Sequence, residues 1–145
     1  MGKSDFDATV KAYNLALDQF VKGNPEPLKD LYSHRDDVSL ANPFGPPVRG
    51  WDQVSQRMER GAQHYREGYA KGFDQIAKYV TGDLGYILEV ERYEAKVGGN
   101  IEMTPVSVRV TTIFRTENGF WKVAHRHADP ITTDQPAGSV IQKKV

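Results

Sequence analysis

Alternation of apolar and polar residues dominates the second half of the chain. Leu84 to Val97, Ile101 to Thr116 and Phe120 to Asp129 are rich in Val, Ile, Thr, Tyr, Phe and Trp, the side chains that suit a pleated, half-buried surface. Between them stand Gly98-Gly99-Asn100 and Asn118-Gly119, which supply the positive φ angles that tight hairpins demand. A further run, Phe73 to Val80, joins through Thr81-Gly82-Asp83. The pattern predicts an antiparallel meander.

Upstream the period lengthens. Phe6, Val10, Tyr13, Leu17 and Phe20 or Val21 recur every three or four residues, which predicts an amphipathic helix over Asp5 to Lys22 with Ser4 or Asp5 as its cap. Gly23-Asn24-Pro25 ends it. A second, short helix is expected from Pro25 to Tyr32 and a brief strand from Asp37 to Asn42. Residues 42–50 (NPFGPPVRG) read as a rigid loop, because Pro and Gly dictate its φ angles. Trp51 to Glu67 reads as a third helix with Val54, Met58, Ala62 and Tyr65 along one side and the other side exposed as a lid.

Helices followed by a meander predict an α+β fold with the helices gathered on one face of a mainly antiparallel sheet. A strand from Leu84 to Val97 would run about 45 Å at roughly 3.3 Å per residue. A strand that long in so short a chain is expected to bend, and a strongly curved sheet capped by helices encloses a pocket.

Composition narrows the function classes. The 145 residues carry 19 basic and 19 acidic side chains, so no net charge steers the protein toward nucleic acid or an anionic membrane. Cysteine is absent, which removes disulfides, thiolate metal sites and a cysteine nucleophile. With no apolar leader and no bilayer-length segment, a cytoplasmic protein without a cofactor is expected. The tail, residues 130–145, has little to bury and is expected to be frayed or laid over a neighbouring subunit.

Three local motifs, taken in order, carry a family resemblance: Val21-Lys22-Gly23-Asn24; Asn42-Pro43-Phe44-Gly45 leading to Arg49-Gly50; and Asn118-Gly119-Phe120-Trp121-Lys122-Val123 running into His125-Arg126-His127. On these the chain resembles the NTF2-like superfamily, in its ketosteroid isomerase-like and SnoaL-like branch, with residues 1–129 as the domain. The resemblance implies a cone of three N-terminal helices and a curved sheet around a pocket, and a homodimer through the outer sheet face. It does not imply steroid isomerisation, whose carboxylate base and oxyanion donors are missing. Asn42 stands at the base position, Ala16 at that of the oxyanion tyrosine, and Val108 to Thr112 contains no acid. Tyr32 is retained, and Tyr13 lies one turn from Ala16 on the same helix face.

The family pattern turns Val106, Val108, Val110, Thr112 and Phe114 toward the pocket. The same reasoning places Tyr86, Leu88, Val90 and Arg92 inside, with Ala124, Arg126 and Ala128. Glu89, Glu91, Tyr93, Trp121, Val123, His125 and His127 then fall outside. The expected ligand-binding set is Tyr13, Tyr32, Asn42, Met58, Tyr86, Val108, Thr112 and Arg126, facing a small hydrophobic or amphipathic molecule. Tyr13 and Tyr32 also read as ordinary core tyrosines. A buried Arg126 requires either an anionic ligand or a carboxylate partner. His125, His127 and Asp129 share one parity. They read as a metal-ligating row, as a dimer face bonded to Glu89 or Glu91, or, with reversed register, as a His127–Asp129 acid/base pair. The functions left open are small-molecule binding, SnoaL-like enzymology through that pair, and an assembly domain.

Overall fold

The computed structural model describes residues 5–143; Ser4, the alternative helix cap, and the last two residues of the tail lie outside them. Helix α1 spans Phe6–Phe20, and Asp5 caps it, its carboxylate accepting from the Asp7 amide at 2.9 Å. Phe6, Val10, Tyr13, Ala16 and Leu17 form its buried stripe. Gly23, at φ 95°, turns the chain after it, a conformation glycine adopts without a Cβ penalty. Helix α2 (Glu26–Leu31) follows, then strands β1 (Ser39–Ala41) and β2 (Val48–Arg49) and helix α3 (Trp51–Ala62). β2 lies in the segment expected to be wholly loop.

Helix α3 stops five residues short of its predicted end. Strand β3 already begins at Tyr65 and runs to Val80, with Tyr65 opposite Val97. The apolar spacing through Val54, Met58 and Tyr65 continues the helical period, yet pairing with the next strand satisfies backbone groups that a longer helix would leave at the sheet edge. β4 (Leu84–Val97), β5 (Thr104–Glu117) and β6 (Phe120–Asp129) complete the predicted meander. The hairpin turns place Gly98, Asn118 and Gly119 at positive φ.

The six strands form one open mixed sheet in the order β2-β1-β6-β5-β4-β3, with β2 and β3 at its edges. β1 lies parallel to β6; the other pairings are antiparallel. The core lies between α1, α3 and one sheet face. Phe6 meets Phe114 and Trp121 edge-on at centroid distances of 5.2 and 5.0 Å. From Pro130 to Lys143 every residue is exposed, with one 3-10 turn at Ala137–Val140.

Register corrects the predicted faces. β4 pairs with β5 as Ile87 opposite Thr112, Glu89 opposite Val110 and Glu91 opposite Val108. The odd residues of β4 therefore share the inner face with the even residues of β5. Ile87, Glu89, Glu91 and Tyr93 are buried, whereas Tyr86 and Arg92 are exposed and Leu88 and Val90 lie with them on the outer face. The more apolar row, expected inside, faces out, and the chain buries the row with two carboxylates. On β6 a register shift separates Ile113–His125 from Phe114–Val123 and leaves Ala124 as the extra residue. A bulge of this kind reverses facing parity, so Trp121 and Val123, expected outside, are buried in the core with Ala128.

Candidate functional site

Buried polarity converges on Arg126, which β6 aims inward. Its Nη1 donates to Glu91 Oε2 and its Nη2 to Glu91 Oε1, both at 2.7 Å, and Nη1 also donates to the Tyr13 hydroxyl at 2.6 Å. The Glu91 side chain is fully buried and that of Arg126 is 11% exposed. The Tyr93 hydroxyl donates to Glu91 Oε1 at 2.7 Å, and the Tyr13 hydroxyl lies 2.8 Å from Thr112 Oγ1. The bidentate fork joins a planar donor set to a planar acceptor, and Tyr13 and Tyr93 occupy much of the remaining bonding capacity. Burial works against the charge on Arg126, but the Glu91 carboxylate prevails and holds the guanidinium well above its usual range.

Around this pair the tyrosines stay protonated. Burial pushes Tyr13 up to about 12, against the opposing pull of Arg126. Burial likewise raises Tyr32, Tyr65 and Tyr93. Glu89 lies two residues from Glu91 on the same strand face and is 3% exposed. Burial first, and the Glu91 charge second, push its carboxyl up to about 7 despite a hydrogen bond from Asn14. Three buried polar atoms have no partner among the described residues: Asn14 Oδ1, Glu89 Oε1 and the Tyr32 hydroxyl.

A cavity of about 50 Å³ opens beside the ion pair, lined by Leu17, Leu28, Met58, Val108, Tyr32, Tyr65, Tyr93 and Arg126, among others. Asn42, Pro43 and Phe44 reach it from the loop after β1. Phe44 is 43% exposed and so stands at its mouth. The Asn42 side-chain oxygen Oδ1 accepts from the Phe44 amide at 3.1 Å, which shapes this rim as an Asx turn.

The model of the SnoaL-like domain matches residues 10–132. The chain belongs to the SnoaL-like domain family. Solved structures agree on its NTF2-like fold. An NTF2-like superfamily protein from Salmonella enterica is 16% identical with a TM-score of 0.73, covering 92% of this chain and 93% of that one. A ketosteroid isomerase-like protein from Erwinia carotovora is 15% identical with a TM-score of 0.72, covering 88% and 94%. An NTF2-like protein of unknown function from Pseudomonas putida is 17% identical with a TM-score of 0.68, covering 87% and 84%. No curated protein matches the chain.

Within this SnoaL-like domain, Tyr32, Asn42, Met58, Val108 and Arg126 of the expected set meet at the cavity. Tyr13 and Thr112 lie behind them in the hydrogen-bonded network. Tyr86 does not join them; it is 37% exposed on the outer face, in a concavity with Tyr79, Leu84, Thr111 and Ile113. His127 and Asp129 also lie outside. The His127 side chain is 58% exposed with Nε2 3.6 Å from Asp129 Oδ2, and Asp129 is engaged by Arg109 at 2.8 Å. His125 turns instead to Ser39 Oγ at 2.8 Å, and desolvation lowers its pKa. The HxHxD row therefore does not converge on one point, and among the described residues no three His, Cys, Asp or Glu side chains form a metal-holding group.

Sequence reasoning missed Glu91, Glu89, Tyr93 and Tyr65. One signal could have found the first. An inward Arg126 requires a carboxylate, and Glu89 and Glu91 lie on β4, one strand beyond β6's neighbour β5.

Proposed function

We propose that this SnoaL-like protein binds a compact, mainly apolar small molecule in the cavity beside Arg126. One observation carries the reading: an apolar cavity is lined by Tyr32, whose buried hydroxyl has no partner among the described residues, and by a preorganised guanidinium. Few, convergent polar groups in an apolar recess are the usual composition of a ligand site, and an unmet buried hydroxyl is a standing penalty that a ligand oxygen can relieve. The outward positions of His127 and Asp129 give no support to acid/base chemistry by that pair. Native mass spectrometry of the purified protein, followed by denaturation, should release a reproducible small molecule. A thermal-shift screen of compact ketones, esters and acids that never raises the melting temperature would refute the reading, since a ligand of the folded state must stabilise it.

A homodimer through the outer sheet face is part of this proposal. Tyr86, Leu88, Val90 and Ile113 present an apolar row there, and the concavity around Tyr86 and Ile113 measures about 350 Å³. Ile113→Lys should convert a dimer to a monomer in sedimentation velocity; an unchanged coefficient would place the interface elsewhere.

A further inference from the structure

Resting on the small-molecule reading above, we infer that the cavity selects uncharged ligands bearing a hydrogen-bond-accepting oxygen, such as a ketone, ester or amide carbonyl, and disfavours carboxylates. Two observations carry this.

The first is the balance of donors and acceptors. A guanidinium has five N–H donors, and the described bonds commit three of them to Tyr13 and Glu91. The remaining donors belong to a side chain that lines the cavity. Tyr32, itself 1% exposed, adds a hydroxyl with no partner among the described residues. Glu91, in contrast, already accepts from Arg126 twice and from Tyr93. Among these cavity-lining side chains the uncommitted polar capacity is chiefly that of donors, so the complementary ligand group is an acceptor.

The second is charge. A buried arginine ordinarily suggests an anionic ligand, but here Glu91 compensates it within the protein. A ligand carboxylate would arrive at a neutral pair and add a second negative charge beside Glu91, with Glu89 on the same strand face. Its desolvation would go unrepaid. A neutral carbonyl takes the free donors without that penalty. Size adds a limit: about 50 Å³ accommodates several water-sized groups, which points to a short ligand of a few heavy atoms rather than a ring system.

Three matched probes test this on the full chain at neutral pH, with affinities taken from proton–nitrogen correlation NMR. They are acetone, its alkene isostere isobutene, and acetate, each of about four heavy atoms to match the cavity. The ketone should bind about tenfold more tightly than either of the others, the worth of one good hydrogen bond to a charged donor. Tyr32→Phe should remove much of the ketone's advantage over the alkene. Carboxylate binding as tight as the ketone's would overturn the charge argument, and equal affinity for ketone and alkene would overturn acceptor recognition; both results would leave the small-molecule reading intact. If none of the three shifts the signals of Val108, Arg126 and Met58, the small-molecule reading falls and takes this inference with it.

Discussion

The sharpest prediction concerns Glu91→Gln. The substitution keeps the shape of the side chain and one carbonyl oxygen, so Tyr93 retains an acceptor. It removes the only carboxylate bonded to Arg126 among the described residues and leaves a guanidinium whose side chain is 11% exposed. Breaking a buried ion pair by removing one partner destabilises by about 3–5 kcal/mol, because the remaining charge is uncompensated. For a chain of this size each kcal/mol moves the melting temperature by about 3 °C, so the midpoint should fall by about 10–15 °C. Arg126→Met should be of similar severity, since it leaves Glu91 as the buried charge. Replacing both, as Glu91→Leu with Arg126→Met, removes the charge problem. Tyr13 keeps Thr112, and the Tyr93 hydroxyl loses its partner at a cost of about 1 kcal/mol. The double variant should therefore be more stable than either single one. Urea denaturation followed by circular dichroism measures all four proteins, with a constant m-value certifying that stability alone has changed. Single variants within about 1 kcal/mol of the wild type, or a double variant no more stable than either single one, would refute the claim that this pair is desolvated and coupled.

Three further outcomes are expected. Folding raises the Glu89 carboxyl from 4.5 to about 7, so the folded state holds a proton that the unfolded chain releases; stability is highest below the lower value and falls as pH rises through this window, by up to about 3 kcal/mol. Glu89→Gln should flatten that slope in denaturation curves taken across the window, and an unchanged slope would show that another group produces it. His127→Ala should leave ligand affinity unchanged and stability within about 0.5 kcal/mol, because the side chain is exposed on the outer face; lost binding in a titration would contradict the site assignment. Gly68→Ala should destabilise by about 1–3 kcal/mol, since the new Cβ would meet the Val21 carbonyl oxygen and approach Ala95 Cβ at 2.9 Å. Gly72→Ala, which meets nothing within 4 Å, is the control, and equal melting temperatures for the two variants would refute the packing argument.

The sequence by itself determined whatever depends on neighbours along the chain. The stripe of α1, its Asp5 cap, the turns at Gly98 and at Asn118-Gly119, and the meander they connect all follow from local period and φ preference. Arg126 was legible as an inward charge in need of a partner, and Tyr32, Asn42, Met58 and Val108 as cavity residues. Which partner Arg126 takes was decided only by the tertiary structure. Glu91 faces it because β4 pairs with β5 in a register that joins odd residues to even ones; a shift of one residue would have turned Tyr86, Leu88 and Val90 inward instead. Hydrophobicity pointed to that second arrangement, since an isolated carboxylate belongs in water. The fold reverses the preference because a guanidinium two strands away, with Tyr13 and Tyr93, supplies in the interior the hydrogen bonds that water would otherwise provide. The boundary at Tyr65 and the bulge at Ala124 have the same origin. Each is chosen by the strand alongside, and the spacing of residues within one segment carries no information about that strand.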